Sequence, residues 1–109
     1  MKTIKSLDAF NQQIKDSTAV LAYFSHERCN VCKVLKPKLS ETFKNQFPKI
    51  EQIYVDVDNT LDIAAQYSVF TVPVIIVFFE GKETYRNARN ISISELVGLV
   101  ERPYHVIFD

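Results

Sequence analysis

Two short, continuous apolar runs constrain the fold of this chain more than any other feature. They are Ala19 to Phe24 and Val74 to Phe79, and β-branched and aromatic residues dominate the second run. Short runs of this kind are typical of strands buried on both faces of a sheet. Segments with helical periodicity stand before, between and after them. We therefore predict an α/β fold in which helices cover both faces of a central mixed β-sheet.

The first half of the chain alternates helix and strand patterns. Ser6 precedes a predicted helix with apolar residues at helical spacing, namely Leu7, Phe10 and Ile14. A longer helix is predicted from Cys29 to Phe47, interrupted at Pro37. Its apolar stripe consists of residues four apart, Val31, Leu35, Leu39 and Phe43. Alternating apolar residues predict a strand over Ile50 to Val57.

The second half begins with a short helix and a hairpin. Leu61, Ala64, Ala65 and Tyr67 predict the helix, which we expect to be capped near Asn59. After the second apolar run, Glu80-Gly81-Lys82 is typical of a turn, and Glu83 to Asn87 is predicted to return as the paired strand.

The final helix has a clear start. Ser92-Ile93-Ser94-Glu95 matches a capping box, whose serine and glutamate side chains satisfy free N–H groups at a helix start. Pro103 is expected to limit this helix. The tail from Tyr104 to Asp109 is apolar, so we expect it to pack on the domain or to join a partner.

Composition limits the classes of function. The 109 residues include only two glycines and four prolines, with no linker-like tract, so residues 1–109 are read as a single domain. Thirteen basic and thirteen acidic residues give a net charge of zero, which argues against nonspecific nucleic-acid binding. The longest apolar run, Val72 to Phe79, is too short to cross a membrane. Polar residues interrupt any signal-peptide core near the start, so a cytoplasmic location is expected.

The only two cysteines form the motif Cys29-Asn30-Val31-Cys32 at the predicted start of the long helix. The N–H groups and positive dipole end of a helix stabilise a thiolate at its first turn. Cys32 lies three residues further along, on the same helical face and within reach of Cys29. Nearby positive charge from Arg28 and its basic neighbours, with Glu27 opposing, should lower the Cys29 pKa. This pattern predicts thiol-disulfide exchange without a bound organic cofactor.

Other interpretations of these residues remain open. A buried cysteine pair also occurs as plain core packing. A metal site needs two further ligands, for which His26 and His105 are the available imidazoles, and we consider it the weaker hypothesis. Asp56 and Asp58 are placed to bind a cation or to act as an acid pair, but surface and capping roles are favoured.

These motifs together resemble those of the thioredoxin family across nearly the whole chain. The resemblance is carried by an apolar strand before Cys-x-x-Cys-Lys, a proline in the active-site helix, Thr71-Val72-Pro73 before the hairpin, and a capped final helix. It implies that Pro73 forms a cis bond facing the cysteines. It also implies that Val72 pairs its backbone with an extended substrate.

The sequence departs from the usual thioredoxin pattern at the cysteines and beneath them. Arg28 replaces a tryptophan, and Asn30 and Val31 replace Gly-Pro. Tyr23 and Tyr54 occupy the positions of a buried aspartate and lysine. A tyrosine of pKa about 10 is a poor base at neutral pH, so turnover should be slower. Stabilising the Cys29 thiolate should make the potential less negative than roughly −270 mV.

Arg89 corresponds to a glycine that shapes the docking groove of thioredoxins, if the preceding loop keeps register. Arg28 and Arg89 would then flank the thiolate and favour acidic protein disulfides or anionic low-molecular-weight thiols. The alternative is that both are ordinary solvated arginines.

The leading hypothesis is a thiol-disulfide oxidoreductase that acts on protein or low-molecular-weight disulfides. Cys29 would attack, Cys32 would resolve, and Val72 and Pro73 would face the substrate. A thioredoxin-reductase-like enzyme is one possible source of electrons. The alternative hypothesis is a redox-sensing or scaffold module that keeps the fold but has little turnover.

Overall fold

The computed structural model describes residues 1–88 and 90–109, and Arg89 lies outside the described residues. Five strands and four helices occur in these ranges. They are β1 (Lys2–Thr3), α1 (Leu7–Asp16), β2 (Ala19–Ser25), α2 (Asn30–Gln46), β3 (Glu51–Asp56), α3 (Leu61–Gln66), β4 (Val74–Phe79), β5 (Lys82–Ala88) and α4 (Ile93–Phe108). Both apolar runs are strands, as predicted, whereas β1 is an additional strand of two residues that no sequence pattern indicated.

The sheet is mixed, with strand order β1-β3-β2-β4-β5. Strands β1, β3 and β2 run parallel, whereas β4 is antiparallel to β2, and β5 is antiparallel to β4. Every residue of the central strands β2 and β4 is buried. The continuous apolar runs therefore occupy the positions where both faces of the sheet are covered.

Two hydrophobic clusters lie on opposite faces of the sheet, because successive side chains of a strand point to opposite sides. On one face, Phe24 and its alternate neighbours in β2 pack against Phe10 of α1 and Ile63 of α3. On the other face, Tyr23 and its alternate neighbours pack with residues of α2 and α4. The prediction of helices on both faces is confirmed.

Serine is the N-cap residue of both α1 and α4. The Ser6 hydroxyl accepts a hydrogen bond from the Ala9 N–H at 3.1 Å, and the Ser92 hydroxyl accepts one from the Glu95 N–H at 3.2 Å. The N-cap of α3 is Thr60, one residue after the expected Asn59, but its side chain makes no capping hydrogen bond. The Asn59 side chain donates to Asp56 instead.

The helix α4 does not stop at Pro103, so that prediction was wrong. The helix continues to Phe108, and the tail packs on the domain as the first of the two expectations stated. Proline removes one backbone hydrogen bond from a helix interior. Burial of an apolar stripe that crosses Pro103 offsets this loss, and the stripe consists of Leu96, Val100, Tyr104 and Phe108.

The stripe of α2 also differs from the prediction at its first turn. Val31 is 64% exposed, whereas Cys32 is buried in line with Leu39 and Phe43. A four-residue spacing overshoots the 3.6-residue turn of an α-helix, so the buried face shifts by one residue over three turns.

Within the described residues, none of the helices has the length and apolar character needed to span a membrane.

Candidate active site

The two cysteines form a disulfide at the start of α2. Cys29 is the N-cap residue of this helix, directly after the loop that follows β2, and its Cα lies 5.2 Å from that of Cys32. The Cys32 N–H donates a hydrogen bond to Cys29 Sγ at 3.2 Å. The Cys29 sulfur thus occupies the position where a helix start stabilises negative charge.

The two sulfur-bearing residues differ in their access to solvent. Cys29 is half-buried, whereas Cys32 is 1% exposed and belongs to the core cluster between the sheet and α2. An incoming disulfide can approach Cys29 from solvent, but Cys32 is reached only through Cys29.

The Val72–Pro73 peptide bond is cis, as the resemblance implied. Strand β4 begins directly after it, and Val74 pairs with Phe24 near the end of β2. Because β2 leads into the loop before Cys29, this pairing brings the Val72–Pro73 segment to the same end of the sheet as the cysteines. Val72 packs against the cluster that contains both cysteines.

Tyr23 lies beneath the disulfide and is fully buried. Its hydroxyl donates a hydrogen bond to the Cys32 carbonyl oxygen at 2.9 Å. Burial, and then proximity to Tyr54, raises the pKa of Tyr23 to about 12. Tyr23 is therefore neutral at physiological pH, where it acts as a hydrogen-bond donor and not as a base.

Tyr54 is the register partner of Tyr23 on β3, and the two ring centroids are 6.3 Å apart. Burial is the largest cause that raises the pKa of Tyr54 above its ordinary value. Lys36 Nζ lies 4.0 Å from the centroid of the Tyr54 ring. A cation over an aromatic face is an attractive arrangement, and here it connects α2 to the sheet.

Arg28 forms an ion pair with Asp58, with 3.0 Å between Nη2 and Oδ2. The local sequence indicated only Glu27 as the opposing charge, whereas Asp58 lies 30 positions away in the chain. Both side chains are exposed, so the pair adds little stability. It nevertheless reduces the positive potential that Arg28 alone would place beside Cys29. The predicted partner in the basic rim, Arg89, lies outside the described residues.

Among the residues considered for metal binding, Asp56 and His105 are engaged in other contacts, whereas His26 Nδ1 is buried without a hydrogen-bond partner among the described residues. Asp56 accepts hydrogen bonds from the Asp58 N–H and from the Asn59 side chain, both at 3.0 Å. His105 pairs with Asp109 at 2.7 Å near the end of α4. In residues 1–88 and 90–109, the structure places no group of three or more His, Cys, Asp or Glu side chains that could hold a metal ion.

Comparison with known proteins agrees with this geometry. The thioredoxin family model matches residues 2–101. Thioredoxin-like protein YdfQ of Bacillus subtilis is 32% identical over 97% of this chain and 94% of its own length. Thioredoxin of Chlamydia trachomatis is 30% identical over 94% of this chain and 98% of its own length.

A solved structure of Plasmodium falciparum thioredoxin superposes with a TM-score of 0.83 at 25% identity, covering 94% of this chain and 98% of the other. The fold and the cysteine pair define a protein of the thioredoxin class. This chain belongs to the thioredoxin family, and it is a thiol-disulfide oxidoreductase.

Proposed function

We propose that Cys29 is the attacking thiol and Cys32 the resolving thiol in exchange with disulfide substrates. The observation that carries this assignment is the difference in access: Cys29 is half-buried at the N-cap of α2, and Cys32 is buried behind it. The Cys32 N–H directed at Cys29 Sγ supports the same assignment, because it stabilises charge on the attacking sulfur.

The exchange proceeds in two steps. The Cys29 thiolate attacks one sulfur of the substrate disulfide, forms a mixed disulfide and releases the other substrate sulfur as a thiol after protonation. The Cys32 thiolate then attacks Cys29 Sγ, forms the Cys29–Cys32 disulfide and releases the second substrate sulfur. Two electrons pass from the protein dithiol to the substrate, and a thiol reductant such as a thioredoxin-reductase-like enzyme returns them.

Val72 and Pro73 form the substrate-facing loop in this proposal. Val72 packs against the cluster that contains the cysteines, and strand pairing brings this segment to the same end of the sheet as Cys29, which supports this role. Asn30 and Val31 tune the site: Val31 is exposed on the first turn, where it contributes apolar surface next to the disulfide. Arg28 and Arg89 are proposed to shape the rim of the site.

We further propose that the protein works in a reducing compartment such as the cytoplasm. The number and spacing of the cysteines support this location. The chain's only two cysteines lie three residues apart and form the redox pair, so none is used for the long-range structural disulfides that are typical of oxidising compartments.

The assignment is tested by trapping the intermediate. A Cys32→Ser variant should accumulate a mixed disulfide with oxidised insulin, which non-reducing mass spectrometry detects, whereas a matched Cys29→Ser variant should not. The wild-type protein should reduce insulin with dithiothreitol as the electron source. Trapping by Cys29→Ser instead would reverse the roles. Absence of turnover above the dithiothreitol background would favour the redox-sensing or scaffold hypothesis.

A further inference from the structure

We propose that Lys36 stabilises the Cys32 thiolate while this cysteine resolves the mixed disulfide, and so promotes the second step of the exchange. This inference rests on the proposed function and adds to it a residue that acts in that step. All nine lysines lie within the described residues, and Lys36 alone is half-buried, whereas the others are exposed. A lysine normally keeps its ammonium group in water, so the partial burial of this one requires a compensating contact.

The compensating contact is the ring of Tyr54, on the strand β3. Lys36 Nζ lies 4.0 Å from the centroid of this ring. Tyr54 in turn packs against the cluster that contains Cys32, and its ring centroid is 6.3 Å from that of Tyr23. The negative face of an aromatic ring attracts a cation and offsets part of its lost hydration. The ammonium group is therefore held against the sheet, next to the core cluster of the buried cysteine.

Cys32 lies about one helical turn before Lys36 on α2. Residues four apart share one face of a helix, with about 6 Å between their Cβ atoms, and helical side chains lean towards the N-terminus. The Lys36 side chain therefore leans towards the turn that contains Cys32. The Tyr23 hydroxyl fixes that turn against the sheet by donating a hydrogen bond to the Cys32 carbonyl oxygen at 2.9 Å. Because Cys32 is 1% exposed, water screens the attraction between its sulfur and this charge only weakly.

The ionisable groups of the sheet near the resolving cysteine supply no positive charge. Tyr23 on β2 and Tyr54 on β3 both have a raised pKa, with burial as the largest cause, so both are neutral at physiological pH. The negative charges of Asp56 and Glu27 also raise the pKa of Tyr54. Both acids therefore oppose a second negative charge at this place, and the lysine ammonium is the group that offsets them.

The other cations close to the cysteines in sequence face solvent. Lys33 directly follows Cys32 but is exposed, and Arg28 is exposed and paired with Asp58. Water and salt screen charges of this kind. The residues that α4 and β5 contribute to the cluster are apolar or aromatic. Among the described residues, the half-buried lysine is therefore the cation best placed to act on the buried sulfur.

The charge acts when the Cys32 thiol ionises in the mixed disulfide. The thiol gives its proton to solvent, and the resulting thiolate attacks Cys29 Sγ. The bond between Cys29 and the substrate sulfur breaks as the Cys29–Cys32 bond forms, and the departing substrate thiolate takes up a proton. Lys36 keeps its own proton throughout and lowers the free energy of the Cys32 thiolate by charge attraction alone.

The test times the two steps separately with 4,4′-dithiodipyridine, an uncharged disulfide that releases one absorbing thiopyridone in each step. Reduced protein is mixed with the reagent in a stopped-flow spectrophotometer. The rate of the first release depends on the reagent concentration, whereas the second release is unimolecular. Lys36→Met should slow the second release about threefold at pH 7, because the pKa of Cys32 rises by about one unit while its thiolate becomes more nucleophilic. The first release, which reports attack by Cys29, should change less than about twofold.

The pH profile of the second release separates a charge effect from a structural defect. In Lys36→Met its midpoint should move about one unit towards alkaline pH, and the difference from the wild type should shrink as the pH rises, because the wild type completes the ionisation of Cys32 first. Lys36→Arg keeps a cation that stacks on an aromatic ring and should retain the wild-type rate within about twofold. Lys38→Met is the matched control, because Lys38 is exposed on α2 and lies near Ile93 of α4.

The inference is overturned if Lys36→Met leaves the second release unchanged, if it slows that release by the same factor at every pH, or if Lys38→Met has an equal effect. A wild-type protein that shows no unimolecular second release would instead refute the resolving role of Cys32 in the proposed function, and the inference with it.

Discussion

At the scale of single residues, a buried hydroxyl replaces a buried ion pair beneath the cysteines. Tyr23 and Tyr54 are both neutral at physiological pH, so this position avoids the cost of burying two charges. As a consequence, the position of Tyr23 holds no carboxylate that could accept a proton from Cys32. What Tyr23 provides is a hydrogen bond that holds the first turn of α2 against the sheet.

Replacing Tyr23 with phenylalanine should change how stability depends on pH. The folded pKa of Tyr23 is about 12 and the unfolded value is 10.0, so its burial stabilises the fold fully below pH 10. Between pH 10 and 12 only the unfolded chain loses this proton, and stability falls by about 2 to 3 kcal/mol from this group. Tyr23→Phe should lose about 1 kcal/mol at pH 7 but should lack this alkaline component.

Urea unfolding of the oxidised protein from pH 7 to 11.5 measures both effects, since disulfide-bonded cysteines do not titrate. The difference in stability between wild type and Tyr23→Phe should shrink and then reverse as the pH rises. A difference that stays constant across this range would contradict the assignment of a buried, neutral Tyr23.

At the scale of elements, α4 shows that burial outweighs a local helix-breaking residue. Its last turn lies beyond Pro103 but packs Tyr104 against Phe47, with 4.9 Å between ring centroids. The Tyr104 hydroxyl accepts a hydrogen bond from the Lys49 N–H at 3.2 Å. The aromatic ring and the hydroxyl together attach this turn to the loop between α2 and β3.

Two substitutions at Tyr104 separate these contributions. Tyr104→Ala should destabilise the protein by about 3 to 5 kcal/mol, because it removes a large buried side chain and leaves a cavity. Tyr104→Phe keeps the ring and should cost only about 1 kcal/mol for the lost hydrogen bond. Chemical denaturation at neutral pH gives both values. Equal losses in the two variants would show that the ring does not anchor the last turn.

At the scale of the whole molecule, the reduction potential depends on the difference in free energy between the reduced and the oxidised protein. The formal net charge is zero, so local groups near Cys29 decide the electrostatic contribution. The start of α2 and Arg28 favour the Cys29 thiolate, whereas Asp58 compensates Arg28. The direction of the potential stays a prediction, and Asp58 is a residue that we expect to restrain it.

We expect a reduction potential less negative than the roughly −270 mV of thioredoxin, because a stabilised thiolate stabilises the reduced form. Asp58→Asn should move the potential further in the same direction by about 10 mV, as expected when a weak surface charge interaction is removed. Equilibration with glutathione buffers, followed by alkylation and mass spectrometry, measures the oxidised fraction.

Asp16→Asn serves as the matched control, because it removes the same charge far from the cysteines. Asp16 lies just before the start of β2, whereas Cys29 lies after the end of that strand. A wild-type potential at or below that of thioredoxin would contradict the first expectation. An equal potential for the Asp58→Asn and Asp16→Asn variants would contradict the second.

Local sequence patterns were sufficient to predict the order of the main helices and strands, the two-sided burial of β2 and β4, and the placement of Cys29 at a helix start. These properties depend on local patterns: apolar runs, helical spacing and capping residues that lie within a few positions of one another. For the same reason, local preference misjudged Pro103 and Val31, where packing against distant residues decided the outcome.

The surroundings of the cysteines depend on packing between distant segments and became visible with the folded structure. The Arg28–Asp58 pair, the Lys36–Tyr54 contact and the packing of Val72 against the cysteine cluster each join segments that are far apart in the chain. No local pattern encodes such contacts, because the sheet register and helix packing bring them together. The reactive cysteine pair could therefore be predicted from adjacent residues. The charges around the pair and the segment that faces the substrate depend on how the sheet brings distant parts of the chain to one edge.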